Sequence, residues 1–288
     1  MNLIDTHTHV NLRAFNDDAE ETIQRSLDAG VVVVNVGTQI DTSRQAVALL
    51  EKFPENVYAV VGLHPSHTFA HDFEDDSEVK FKTREEHFNT EIYRALINDS
   101  GNAKRIVGIG ECGLDYYRLP EDRDHEEIKQ LQRTAFDEQI KLALELDKAL
   151  CVHCRPSGET QDAYEDLLEI IRQVKIQNPN LRFEVHCYTG NLENAKKFIE
   201  LGGYIGLNGI ITFDKSGRSE EVVKGIPLSA IILETDAPYL TPKSHRGQRN
   251  EPSYLPEVAE KIAEWKDVTL EEVAQTTTDN AKKLFSLP

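Results

Sequence analysis

One feature constrains the fold more than any other: short, β-branched apolar runs alternate with helical patterns from one end of the chain to the other. Eight runs read as strands: NLID, VVVVNV, VYAVVG, RIVGIGE, ALCVHC, RFEVHC, GYIGLN and AIILETD. Between them lie helix candidates at 17–28, 41–52, 124–147, 160–174 and 191–201. The helix starting at Asp124 spaces Ile128, Leu131, Ala135, Leu142 and Leu146 near 3.6 residues, one apolar stripe for packing on a sheet. Eight such units predict an α/β protein, a closed parallel (β/α)8 or TIM barrel. The 288 residues suit the roughly 250 that this fold needs, so one domain over 1–288 is expected.

Charge and cysteine usage narrow the class. Fifty acids against 32 Lys and Arg give a formal charge of −18, which opposes nonspecific adhesion to nucleic acid or an anionic membrane. A phosphate-bearing substrate would need local cations or metal. The start of the chain lacks a basic segment followed by an apolar one, and no run reaches the roughly 18 apolar residues of a membrane span. Four cysteines are too few for a disulfide scaffold at this length. The reading is a soluble, cytoplasmic monomer with reduced thiols and no membrane partner.

Two connections break the repeat. Residues 67–104, with the acidic run DFEDDSEVK, join strands three and four and should carry a helix around 86–98. After strand eight, TPKSHRGQRNEPSYLP forms a long polar loop before closing helices at 254–265 and 270–276. Long loops in a compact domain are usually functional or disordered.

The residues that end the strands carry the chemistry. IDTHTH delivers Asp5, His7 and His9; VVGLHP delivers His64; GIGECGLD delivers Glu111 and Asp115. CVHCR gives His153 and Arg155, EVHCYTG gives His186, and LETDAP gives Glu234 and Asp236. Five of the ten histidines thus sit at the carboxyl ends of predicted strands, where barrel active sites are built. One histidine there would more often be structural, but several converging on one mouth suit a divalent ion. His7 and His9 are two apart, so in extended backbone both face the same side. More ligands are available than one four-coordinate ion needs, which suggests a metal pair bridged by a carboxylate and a water.

In the order DTHTH, GLHP, GECGLDYY, VHCR, HCYTG, ETDAPYLTP and RGQRNEP, these motifs resemble the TatD family of metal-dependent deoxyribonucleases, within the amidohydrolase-like barrels. The resemblance runs from Asp5 to about Phe285. It implies two divalent ions (Zn, Mg or Mn) on His7, His9, Glu111, His153, His186 and Asp236, with Glu111 bridging. It implies a 3′ to 5′ exonuclease; the acidic chain with one narrow mouth suits single-stranded or frayed DNA, in repair or fragment clearance. Cys112 and the lead-in CVHCR depart from the family's more aliphatic pattern.

Phosphodiester hydrolysis then needs Glu111, Asp236 and His64 as catalytic residues. A metal-activated water attacks phosphorus, Asp236 orients it or takes its proton, and His64 and Arg155 contact the phosphate. In the loop KSHRGQRNEP, Lys243, Arg246 and Arg249 form a basic cluster, and Arg246 and Arg249 are expected on the substrate backbone. Glu234 is read as a substrate-side acid, as an orienting group for a histidine, as a contact to a third, weaker metal, or as an exposed strand end. Asp5 either orients a ligand or caps a turn, Asp115 shapes the mouth, and Cys151, Cys154 and Cys187 pack. Two other functions compete: an ester or amide hydrolase such as an aminoacyl-tRNA deacylase, and a catalytically idle, metal-bound partner-binding protein. A carboxylated lysine does not fit the strand ending in Glu111, whose Lys104 lies at the wrong end, and every motif position is filled.

Overall fold

In the computed structural model, residues 2–70, 72–74, 80–83 and 85–288 are described; for 72–74 and 80–82 this covers the backbone. His71 and the middle of the acidic run, 75–79, lie outside these. The strands in chain order are β1 (Leu3–Thr8), β2 (Val31–Val36), β3 (Val57–Val61), β4 (Asp72–Glu74), β5 (Lys80–Lys82), β6 (Ile106–Asp115), β7 (Ala149–Arg155), β8 (Phe183–Val185), β9 (Tyr204–Leu207) and β10 (Ile231–Leu233). β4 and β5 pair as a separate antiparallel ribbon within the long connection. The other eight form one parallel sheet in the order β1-β2-β3-β6-β7-β8-β9-β10, and all eight expected runs contribute to it. The architecture is the (β/α)8 barrel.

Side chains close its seam. β10 is three residues long and returns to β1 chiefly through bonds outside a regular ladder. Thr6 Oγ1 donates to the Leu233 carbonyl (3.0 Å), and the Asp236 amide donates to the His7 carbonyl (2.9 Å). Asp5, fully buried, accepts from the Thr235 amide (2.9 Å) and hydroxyl (2.5 Å). Burial raises the Asp5 carboxyl to about 8 despite the Thr235 and His7 hydrogen bonds that favour its ionised form. Between the alternatives left by the sequence, Asp5 is a seam residue that also accepts the His7 amide at 3.2 Å.

The helices are α1 (Ala19–Asp28), α2 (Ile40–Lys52), α3 (Thr90–Asp99), α4 (His125–Glu145), α5 (Asp162–Gln177), α6 (Leu192–Glu200), α7 (Arg218–Gly225), α8 (Leu255–Lys266) and α9 (Leu270–Phe285). α4 begins where Asp124 accepts the Glu126 amide (2.9 Å), a cap that satisfies one of the free donors of the first turn. Its stripe buries Ile128, Ala135 and Leu142 as expected; Leu131 is only partly buried, and Gln132 and Gln139 are fully buried. Each glutamine binds one strand-end backbone like a peptide: Gln139 bonds the amide and carbonyl of Leu63, Gln132 those of Asp115. This fixes the chain on either side of the site. α9 runs nine residues past its expected end at Thr276, because Ala281, Leu284 and Phe285 pack with Ile4, Val34, Val60, Val107 and Ile232 of the barrel interior. No helix among the described residues is long and apolar enough to cross a membrane.

Candidate metal centre

Glu111 lies at the centre of the barrel mouth, 4 % exposed. The β6–β7 register slips between Ile109 and Cys112, a bulge that turns the side chain inward. Gly110 permits it: φ is +149°, and a Cβ there would stand 2.5 Å from the Cys151 carbonyl oxygen. Glu111 Oε2 faces His7 Nε2 at 3.5 Å and His9 Nε2 at 3.6 Å. Its Oε1 faces His153 Nδ1 at 2.9 Å, His64 Nε2 at 3.4 Å and His186 Nε2 at 3.8 Å. Asp236 Oδ1 completes the ring, 3.4 Å from His9 Nε2 and 3.8 Å from His186 Nε2. The structure therefore brings all six expected ligands together, in two donor groups that share Glu111.

The far nitrogen of each imidazole has a partner that fixes which nitrogen is free to bind. His9 Nδ1 donates to the Val36 carbonyl (2.8 Å), leaving Nε2 as a lone-pair donor. His186 Nδ1 faces Glu234 Oε2 at 3.1 Å, with the same result. His153 is reversed: Nε2 meets Asp115 Oδ2 at 3.1 Å, so Nδ1 points to Glu111. His64 differs in kind. Its Nδ1 accepts the Ser66 amide (3.1 Å), so a neutral ring carries its proton on Nε2 and offers a donor.

This donor set fits divalent cations. His7 Nε2 and His9 Nε2 converge to 3.2 Å beside the Glu111 and Asp236 carboxylates, an arrangement of nitrogen and oxygen donors that suits a divalent cation. Burial, then the neighbouring His186, lowers His7 to about 4, which keeps its ring neutral at physiological pH. Burial opposes ionisation of Glu111, yet the facing imidazoles hold it well below the usual carboxylate range. Burial lowers His186, and Glu234 and Asp236 more than offset this, raising it to about 10; a metal there would displace a proton. Above the ligands opens a cavity of about 910 Å³.

Comparison with known proteins agrees with this geometry. The family described as TatD related DNase matches residues 4–286. The chain belongs to the TatD family. At 35% identity over 286 residues, covering 99% of both chains, it is similar to the uncharacterized metal-dependent hydrolase YabD of Bacillus subtilis. At 31% identity over 294 residues, covering 99% of this chain and 100% of the relative, it is similar to the 3′-5′ ssDNA/RNA exonuclease TatD of Pectobacterium atrosepticum. The crystal structure of YJJV, a TatD homologue from Escherichia coli, superposes with a TM-score of 0.81 at 28% identity, over 99% of this chain and 98% of that one. The chain is thus a metal-dependent hydrolase of the TatD family.

Other expected residues of this TatD-family site fall in different places. Glu234 is fully buried, so it is no exposed strand end: it accepts from the Cys187 amide (2.7 Å) and Asn208 Nδ2 (3.1 Å) and faces His186 Nδ1 at 3.1 Å. Gly206 makes room for it, since a Cβ there would collide with Glu234 Oε2. Arg249, expected on the substrate backbone, donates to Asp18 (2.8 and 2.6 Å) and the Ala14 carbonyl (2.6 Å) and lies 4.1 Å over the Phe15 ring. Arg246 stacks 4.6 Å over Phe213, and neither arginine lines the cavity. Arg155 does, stacked 3.9 Å over Tyr117, and Arg13 and Arg118 line it as well. Sequence reasoning passed over those two, and it took Asp115 for a mouth-shaping residue. Asp115 is fully buried and holds His153; its position two residues before the exposed Tyr117, at the end of a ten-residue strand, was the available signal.

Proposed function

We propose that this TatD-family chain hydrolyses phosphodiester bonds, as a 3′ to 5′ exonuclease on single-stranded or frayed DNA. The observation that carries the reading is the Glu111 carboxylate on the cavity floor, with each oxygen turned to a separate group of imidazole nitrogens. His7, His9, His153, His186, Glu111 and Asp236 would hold two divalent ions, Zn, Mg or Mn. When bound, such ions polarise phosphoryl oxygens and lower the pKa of a coordinated water toward about 7.

The remaining steps belong to side chains. Of the two carboxylate ligands, Asp236 is the one turned toward solvent, its side chain 13% exposed against 5% for Glu111. Burial disfavours its charge, but His186 and His9 keep it ionised, so it can orient the attacking water and accept its proton. His64 presents Nε2–H to the same space and would donate to a phosphoryl oxygen. Arg155, held flat by Tyr117, would bind the neighbouring phosphate. Tyr117 is 55% exposed at the rim and offers a face for a base. The similarity to the 3′-5′ ssDNA/RNA exonuclease TatD of Pectobacterium supports the polarity and a single-stranded substrate.

The test uses oligonucleotides labelled at either end, with Mg, Mn and Zn in turn and a Glu111→Ala control. Stepwise loss from the 3′ end that vanishes in the variant is the expected result. Intact oligonucleotides with a metal-loaded protein would sink the nuclease reading and move the work to ester and amide substrates, starting with aminoacyl-tRNA.

A further inference from the structure

Beneath the ligands lies a second polar layer. Cys151 stands two residues before His153 on β7, and Glu184 two before His186 next to β8, so strand alternation turns each toward the barrel axis below its histidine. The β7–β8 register pairs Cys151 directly with Glu184. Cys151 Sγ lies 3.1 Å from His7 Nδ1 and 2.6 Å from Glu184 Oε1, and all three residues have no solvent exposure.

We infer that Cys151 and Glu184 are positioning residues that hold His7 as the tautomer with Nε2 free for metal. His7 Nδ1–H donates to the thiol sulfur, and the thiol S–H donates to Glu184 Oε1. A thiol can do both, weakly, and with water excluded these bonds meet no competitor. His9 and His186 have an oxygen acceptor behind the ring, a carbonyl and a carboxylate. His7 has the cysteine, with an acid behind it. The trio also has the composition of a small metal site. Its spacing argues otherwise: ligands at about 2.3 Å for sulfur and 2.0–2.2 Å for oxygen would stand well over 2.6 Å apart around one ion. The two atoms are in direct contact, with no room for an ion between them. The inference rests on the metal centre above, and it needs no nucleic acid.

The test pairs conservative with apolar variants and reads metal affinity and ring tautomer. Zinc affinity of the metal-free protein is measured by competition with a chromophoric chelator. Cys151→Ser keeps a donor and an acceptor and should stay within about threefold of wild type, whereas Cys151→Val should lose roughly 10- to 100-fold, as outer partners of metal ligands do. At the other end, Glu184→Gln keeps an acceptor and should match wild type, while Glu184→Leu should fall with Cys151→Val. Long-range proton–nitrogen spectra of the metal-free wild type should show His7 protonated on Nδ1. Equal affinity in the Ser and Val variants, or a wild-type His7 protonated on Nε2, would overturn the assignment. A protein that binds zinc with this pattern yet cleaves no oligonucleotide would end the nuclease reading and leave the relay standing. One that binds no divalent ion would remove the metal centre and the relay together.

Discussion

Sequence places both the strand-end histidines and the arginines of the loop after β10 at the site, and the fold treats them in opposite ways. His7, His9, His153 and His186 all converge on Glu111 or Asp236. Arg246 and Arg249 turn to Phe213 and to Phe15 with Asp18, away from the cavity. A residue at the end of a barrel strand inherits its direction from alternation and from the sheet. A loop residue inherits nothing local, and its long cation goes to whichever carboxylate or ring lies in reach. Charge beside a site in sequence is therefore a weaker argument than phase along a strand.

The largest expected effect tests the strand side. Glu111→Gln keeps the shape and hydrogen-bonding capacity of the side chain but removes the charge shared by both donor groups. Hydrolysis should fall on the order of 10³-fold or more, and zinc affinity with it. A variant within tenfold of wild type in both would break the comparison, because convergence would then not mean ligation.

The next tests the loop side. Arg249→Ala removes charge-assisted bonds to Asp18 and a cation–π contact, and should cost about 1–2 kcal/mol of stability with turnover at saturating substrate unchanged. The pair also has a pH signature. Arg249 lowers the Asp18 carboxyl to about 2, below an unfolded value near 3.9. Its contribution is thus complete above about pH 4 and is lost as pH falls through about 2. The Tm gap between wild type and variant should be flat from pH 5 to 8 and narrow below pH 4. A gap that persists in full at pH 2 would mean that Arg249 acts through Phe15 and the Ala14 carbonyl and not through Asp18.

The same contrast explains what the sequence made legible. The eight strands were readable because short apolar runs recur between helical patterns along the whole chain, and the ligands because histidine and acid are conspicuous at the ends of such runs. Cys151 was not readable as a hydrogen-bonding group, since inside ALCVHC a cysteine behaves as one more small apolar residue. Glu184 could have been noticed: a carboxylate in RFEVHC, two residues before a ligand, must face the barrel interior. The end of α9 was missed because KKLF gives only a short amphipathic tail, and its partners are strand residues from Ile4 to Ile232, distant in sequence. The tautomer of each histidine is set by backbone and acids from other strands, which no local pattern records.

Arg13 sharpens the comparison from the other direction, because it lies off the strands, in a short 3-10 turn between β1 and α1, and yet lines the cavity. It is exposed, and among the described residues no acid pairs with it. If a loop cation reaches substrate, it is this one. Arg13→Ala should raise KM for a single-stranded oligonucleotide by roughly fivefold, about 1 kcal/mol, with little change in kcat. One phosphate contact fewer should also flatten the slope of log affinity against log salt by about 0.7. Arg246→Ala is the matched control with the smallest effect. Its contact with Phe213 is exposed and worth on the order of 0.5 kcal/mol, and no substrate contact is lost. KM and the salt slope should match wild type. A slope that drops in Arg246→Ala but holds in Arg13→Ala would mean that substrate passes over the Phe213 side of the rim and that the loop turns toward it on binding.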